Sequence, residues 1–474
     1  MLEFATMAGT ERIDEGQWID VRSPWSGTLA GRVASASHET TTKLIARTRA
    51  ARIHLKRHER HDILSRMAER VEADAAHIAA LITSESGLCL RDTTHEVHRV
   101  RDVLRFAAME SLRDDSEVFP CDVTPEGRNR RIYTTRQPFS LIAAITPFNH
   151  PMNQVAHKIA PAIATNNKTI LKPSQITPLS AYYLVECALA CGLPEDMVNV
   201  ISGPAESVAE PMVASPLVDM VTFTGSTATG HRIAQVAGYK RLVLELGGSS
   251  VLLVLADADP AAAVDIAMAG IFRNSGQRCT AIRRILVHEG LCAEFSRRLA
   301  EHVQALRYGD PNDPDTEVGT VISEAAARQI EERVNQTLAR GAKLLAGHKR
   351  EGALNAPTVL GDVRNDDAVV ARETFGPVAP ILEFRTLEEG IRIANDTEFG
   401  LSGAVVSNHW PSIQRVITEL DTGTVNVNEA PSYRLEWSPF GGIKSSGLGY
   451  KEGVAEAMKS MTWIKTYSLP WDRA

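Results

Sequence analysis

The feature that most constrains this chain is a regular alternation of short apolar runs and helical patterns that begins at Ser140. Residues 140–146 read as a strand, 151–165 as a helix and 168–173 as a strand again. The cycle continues with a helix over 179–191 stopped by Gly192 and Pro194, a strand over 197–202 and a helix over 205–214. A strand over 219–225, a helix to Gly238 and a strand over 241–248 complete the block. Strands that alternate with helices in this way lie parallel, because each crossover returns the chain to the same end of the sheet, and the helices then cover both faces. A second block opens at Val251, with strands at 285–289, 378–384, 401–407 and 424–428. The expected fold class is therefore α/β, with two doubly wound α/β domains. Residues 122–136 and 461–469 fit neither block. Their β-rich centres, 131–135 and 462–467, are expected to pair as a projecting arm that another subunit caps.

A chain of 474 residues, 44% of them hydrophobic, can bury the cores of two or three domains. Its net charge of −7 gives no global attraction to nucleic acid or to an acidic membrane, so any anion site has to be built locally. No apolar run approaches the roughly 20 residues needed to cross a bilayer, and Glu3, Glu11, Arg12, Asp14 and Glu15 interrupt the first twenty. Neither a spanning helix nor a secretory signal is expected. Cys89, Cys121, Cys187, Cys191, Cys279 and Cys292 show no disulfide-scaffold or zinc-ribbon spacing, which points to a reducing compartment, the cytoplasm, and to no metal site. Cys187 and Cys191 share a helix face but lack further ligands nearby, and read as packing. No internal repeat appears, which excludes a solenoid.

Chemistry concentrates at a few strand ends. In Phe272-Arg273-Asn274-Ser275-Gly276-Gln277-Arg278-Cys279-Thr280 the cysteine lies on a connection between a helix and a strand, where a thiolate can attack a carbonyl. A small buried apolar residue is the other reading of a lone cysteine. In Thr146-Pro147-Phe148-Asn149-His150-Pro151, Asn149 follows a strand and is placed either to donate its amide to an oxyanion or to cap the next helix. Leu244-Glu245-Leu246-Gly247-Gly248 ends an apolar strand with an acid. Glu245 is either a general base or one half of an ion pair with a neighbouring domain, with the glycines as a hinge. Phe223-Thr224-Gly225-Ser226-Thr227-Ala228-Thr229-Gly230 lets a pyrophosphate approach a helix N-terminus, although the dinucleotide fingerprint is absent. Lys172-Pro173-Ser174-Gln175 closes another strand, where Lys172 can reach ribose hydroxyls.

Taken together, and with Glu373-Thr374-Phe375-Gly376-Pro377 and Pro439-Phe440-Gly441-Gly442, these seven motifs in order resemble the aldehyde dehydrogenase superfamily over residues 19–466. The resemblance implies a cofactor domain over 1–120 and 137–248, a catalytic domain over 249–440 and a β oligomerisation arm over 121–136 and 455–474. It implies a homodimer or homotetramer. It also implies that Cys279 forms a thiohemiacetal and then a thioester, that Asn149 and the Cys279 backbone N–H hold the oxyanion, and that Glu245 activates water. The cofactor, NAD with NADP possible, would be held by Thr146, Pro147, Phe148, Lys172, Ser174, Gln175, Gly225, Ser226, Gly230, Leu246, Glu373 and Phe375. Many NAD-preferring members carry Glu at the place of Gln175. A neutral Gln removes the repulsion of a 2′-phosphate while keeping a hydrogen bond to ribose.

Arg99, His150, Arg278 and Arg434 are the expected substrate contacts, and together they suit an anionic head group. Singly, Arg99 and Arg434 read equally well as solvated or paired with Glu96 and Glu436. As a set the four resemble the phosphonoacetaldehyde branch of the superfamily, with non-phosphorylating glyceraldehyde-3-phosphate dehydrogenases sharing part of the pattern. A CoA-acylating enzyme and a catalytically silent homologue remain as other classes. Retention of Glu245 speaks against the first, and retention of both Cys279 and Glu245 against the second.

Overall fold

The structure is a computed structural model that describes residues 2–449 and 452–471. The strands expected between 140 and 248 form at Leu141–Ile145, Lys168–Lys172, Val198–Val200, Met220–Thr224 and Arg241–Glu245, as the parallel part of a seven-stranded sheet. Counted in chain order they lie 5-4-1-2-3 across the sheet, so the direction of winding reverses between Leu141–Ile145 and Met220–Thr224. Such a reversal opens a crevice at the carboxyl ends of the strands, where ligands collect. All five residues of Leu141–Ile145 are buried, which is why this segment reads as an unbroken apolar run.

Two short strands absent from the sequence reading, Thr6–Ala8 and Glu11–Ile13, extend the sheet antiparallel beyond Val198–Val200. Over its face lies Leu90–Ser111, which buries Val97, Val100, Leu104 and Ala107, a helical three- and four-residue spacing, in one core with Val155 and Ile159 of Asn153–Ala164. The helix expected over 205–214 is a π turn, Ala205–Ala209, that runs into the α-helix Glu210–Ala214. Pro211 has no N–H to give to the carbonyl four residues back, and the register shifts around it.

The second sheet has six parallel strands, Ser250–Val254, Ile282–His288, Thr358–Gly361, Val378–Phe384, Ser402–Val406 and Thr424–Val427, with Lys343–Ala346 antiparallel at one edge. The strand expected from 285 starts at Ile282, because Arg283 and Arg284 lie buried within it rather than in a loop. Only residues 246–249 separate Glu245, at the carboxyl end of the first sheet, from Ser250, at the amino end of the second. Those two sheet edges therefore meet, and Cys279, three residues ahead of Ile282, is delivered to the junction.

A third sheet consists of Val118–Pro120, Arg130–Pro138 and Thr462–Pro470, all antiparallel. Arg131 pairs with Leu469 and Thr135 with Lys465, as the two β-rich centres foretold, but the sheet reaches from Val118 through Pro138, beyond the expected limits of 121–136. Among the described residues no helix is long and apolar enough to cross a membrane, and no group of three or more side chains is disposed to hold a metal ion. All six cysteines are free.

Candidate active site

The chain ahead of the cysteine adopts a conformation that the sequence did not reveal. After the helix Pro260–Ile271, Asn274, Ser275 and Gly276 all take left-handed backbone angles, with φ of +55°, +53° and +71°. Two non-glycine residues in this region cost about 1–3 kcal/mol each, so the surroundings must impose it. Asp92 accepts from the Asn274 N–H at 2.6 Å, Ser275 donates to the Gly319 carbonyl at 3.0 Å, and the Gln277 side chain accepts from the Ile322 N–H at 2.8 Å. A Cβ on Gly276 would sit 2.2 Å from the Gly376 oxygen, which ties this glycine to the 373–377 motif. Beneath the turn, the buried Arg283 donates to the carbonyls of Gly276 (2.6 Å), Arg278 (3.1 Å) and Gly376 (3.1 Å). Its neighbour Arg284 binds the Ser249 carbonyl at 3.0 Å and the end of the helix Leu387–Asn395. Adjacent side chains of a strand point to opposite faces, so this pair braces the nucleophile turn on one side and the inter-sheet link on the other.

Asn149 is locked to this turn by reciprocal bonds. Its amide donates to the Gln277 carbonyl at 2.8 Å, and its own carbonyl accepts from the Asn274 amide at 3.3 Å. The Cys279 thiol is pushed up to about 11, first by burial and then by the charges of Glu245, Glu373 and Glu452, against which the Arg434 charge acts. It therefore rests protonated at neutral pH. Glu245 is buried at the end of its strand, and its carbonyl accepts from the Gly225 N–H at 3.0 Å. Neither Gly247 nor Gly248 has a positive φ. Space is what they supply: a Cβ on Gly248 would stand 2.5 Å from the Cys279 oxygen, and one on Gly247 2.7 Å from the Glu373 carboxylate.

The expected cofactor residues gather along the carboxyl edge of the first sheet. Lys172 is buried, its amine is pushed down to about 8 by desolvation, and that amine has no hydrogen bond or ion pair among the described residues. The Thr146 hydroxyl is likewise buried without a partner among them. Ser226 caps the helix Thr227–Val236, accepting from the Thr229 N–H at 3.3 Å. Phe148 and Phe375 meet edge to face with centroids 5.8 Å apart, and Glu373 accepts from the Gly248 N–H at 3.1 Å. An unmatched amine, an unmatched hydroxyl and a helix N-terminus on one edge fit the polyol and phosphates of a dinucleotide. Gly230 also has a packing task. Leu246 occupies the space a Cβ would need, at 2.3 Å, so Gly230 lets this helix close on the strand-end loop.

Beside the nucleophile turn is a cavity of about 300 Å³. Arg99, His150, Arg278 and Arg434 all line it, joined by Arg273, His95, Asn274, Tyr433 and Glu436, which the sequence reading had not singled out as site residues. Arg99 pairs with Glu436 and Arg434 approaches the same carboxylate at 3.5 Å, so both arginines follow the paired reading as well as lining the cavity. Glu96 is engaged elsewhere, accepting from the N–H groups of Met152 and Asn153 at 3.0 Å and facing His150 at 3.4 Å. Arg273 lies 3.4 Å from Asp92. Arg278 donates to the carbonyls of Ala269 and Gly270, both at 2.9 Å, and has no carboxylate within ion-pair distance among the described residues. Arg273 and Asn274 stand inside the quoted cysteine motif, and the doubly basic Arg283-Arg284 in an apolar run was the signal for buried braces.

The chain matches the aldehyde dehydrogenase family over residues 12–467. It is 38% identical to aspartate-semialdehyde dehydrogenase 1 of Pseudomonas canavaninivorans over 95% of this chain and 96% of that one. With 3-sulfolactaldehyde dehydrogenase of Priestia aryabhattai it shares 33% identity over 94% and 95%. The crystal structure of NADP-dependent glyceraldehyde-3-phosphate dehydrogenase from Bacillus halodurans, complexed with NADP, superposes with a TM-score of 0.94 at 32% identity and covers all of both chains. This chain belongs to the aldehyde dehydrogenase family. It is an oxidoreductase that acts on an aldehyde with a nicotinamide cofactor.

Proposed function

We propose that this enzyme oxidises a short aldehyde carrying an anionic head group, with Cys279 as nucleophile. The carrying observation is the cavity beside the nucleophile turn, with four lining arginines of which, among the described residues, Arg278 alone lacks a carboxylate partner. The Cys279 thiolate adds to the aldehyde carbon. The Asn149 amide and the Cys279 backbone N–H take the oxyanion. Glu373 and Phe375 would hold the nicotinamide half of the cofactor, which when bound would supply hydride uptake, while Lys172, Gln175 and Ser226 would hold the other half. Glu245 then deprotonates the water that hydrolyses the thioester.

The sequence suggested a phosphonate because four basic groups converge. Two of them share Glu436, and Asp102 and Glu429 also line the cavity, so its four arginines stand against three carboxylates and the net charge of the wall is near one. A carboxylate or sulfonate head group balances that charge best, and the two relatives above are named for a semialdehyde and a sulfonated aldehyde. An aldehyde with one terminal anion is expected to exceed its neutral counterpart of equal length by about 10- to 150-fold in kcat/KM, the value of one charge-assisted hydrogen bond kept in the transition state. Equal rates would remove the head-group assignment, and a phosphonate aldehyde in the same panel tests the dianion. Activity that requires CoA would reassign the acyl acceptor.

For the cofactor we propose NAD preference with NADP accepted. Gln175→Glu is expected to lower kcat/KM for NADP by about tenfold or more through repulsion of the 2′-phosphate, while NAD changes little. A wild type that strongly prefers NADP would overturn this. The exposed Val118, Phe119, Trp463, Ile464, Tyr467 and Leu469 on the three-stranded arm support a homodimer or homotetramer, which light scattering would measure. Six free cysteines support a reducing compartment.

A further inference from the structure

We propose that Glu436 is a specificity-determining residue of the head-group cavity: its carboxylate, shared by Arg99, Arg434 and His157, is an internal anion that commits two of the four lining arginines before substrate enters. The inference rests on the reading that this cavity takes the head group.

Glu436 is buried, and burial alone would push its carboxyl up, but Arg99, Arg434 and His157 hold it well below the usual range, so it is ionised. The three partners come from separate parts of the chain. Arg99 is on Leu90–Ser111, His157 on Asn153–Ala164, and Arg434 two residues before Glu436 itself. The carboxylate has little freedom to leave. The Glu436 carbonyl accepts from the Val454 N–H at 3.0 Å, the backbones of Phe440 and Glu452 pair, and the Arg434 guanidinium lies 4.2 Å over the Phe440 ring. A head group that reaches Arg99 or Arg434 therefore also comes up against Glu436. One negative charge can be met by Arg278 and by the unused donors of the pair, whereas a second must approach a fixed carboxylate. Repulsion of the wrong ligand is a common way to build such selectivity.

The test compares three aldehydes of equal chain length, with a neutral end, a carboxylate or sulfonate, and a phosphonate. In Glu436→Gln, which keeps the shape and an acceptor for Arg99, the ratio of phosphonate to monoanion kcat/KM is expected to rise at least tenfold. In Arg99→Gln, where the cavity loses one positive charge and Arg434 and His157 still hold Glu436, the same ratio is expected to fall. Shifts of opposite sign cannot come from general damage to the fold. Should Glu436→Gln not fold, because it leaves Arg99 buried with a weaker partner, the wild-type ratio decides: a phosphonate oxidised better than the monoanion overturns the role of Glu436. A ratio unchanged in the variants that fold, while wild type still prefers anions over the neutral aldehyde, overturns the role of Glu436 and leaves the head-group reading standing. A wild type indifferent to the anion overturns the reading on which it rests.

Discussion

Replacing Cys279 with alanine is expected to reduce aldehyde oxidation by roughly four orders of magnitude or more, and ester hydrolysis with it, since both need the thiolate to form an acyl-enzyme. Cofactor binding should persist, because Lys172 ends one strand of the first sheet, Thr146 and Phe148 follow another, and none depends on the sulfur. Stability should change by no more than about 1 kcal/mol, since one half-buried sulfur is lost and the turn before it is fixed by Asp92 and Arg283. Oxidation by the variant at an appreciable fraction of the wild-type rate would remove Cys279 from the mechanism. Its pH behaviour gives a second check. With the thiol pushed up to about 11, the reactive thiolate is a small fraction at neutral pH and grows as pH rises. Alkylation of Cys279 by iodoacetamide, in enzyme free of cofactor, should therefore accelerate by about tenfold per pH unit from neutrality until the protein unfolds. A rate flat from pH 7 upward would mean that the thiol is already ionised.

Much of this arrangement was legible in the sequence because it follows from periodicity. Leu141–Ile145 and Val378–Phe384 are nearly continuous apolar runs between turn residues, and such runs become strands covered on both faces. Asn149, Glu245 and Cys279 were legible because each ends a strand or precedes one, so strand positions alone put them at sheet edges. What could not be read was set by tertiary contact. The left-handed turn at Asn274 and Ser275 exists because Asp92, 182 residues away in the chain, accepts from its backbone. Neither residue type announces a positive φ in a motif that otherwise looks like a loop. Arg283 and Arg284 read as polar interruptions, and only their carbonyl partners, delivered by other elements, make burial of two guanidiniums tolerable. The substrate arginines were found by type and proximity to motifs, but their charge balance depends on Glu436, whose partners Arg99 and His157 lie far away in sequence.

Glu245→Gln is expected to separate the two halves of the reaction. The amide keeps the volume that the buried strand end requires but cannot take a proton from water, so deacylation should slow by about 10²- to 10⁴-fold. Rapid mixing with excess aldehyde and NAD should show a burst of reduced cofactor near one equivalent per active site, followed by a slow steady state. The first half should not suffer. The Glu245 charge is among those that raise the Cys279 thiol, so its removal moves the thiol toward ionisation, and alkylation of Cys279 at a fixed neutral pH should become faster in the variant than in wild type. These two observations depend on the same carboxylate in opposite senses, one as proton acceptor and one as a neighbouring charge. Loss of the burst together with loss of steady-state turnover would place Glu245 before hydride transfer rather than after it. Normal turnover with no burst would mean that solvent or another base attacks the thioester, and the assignment of Glu245 as the water-activating base would fall.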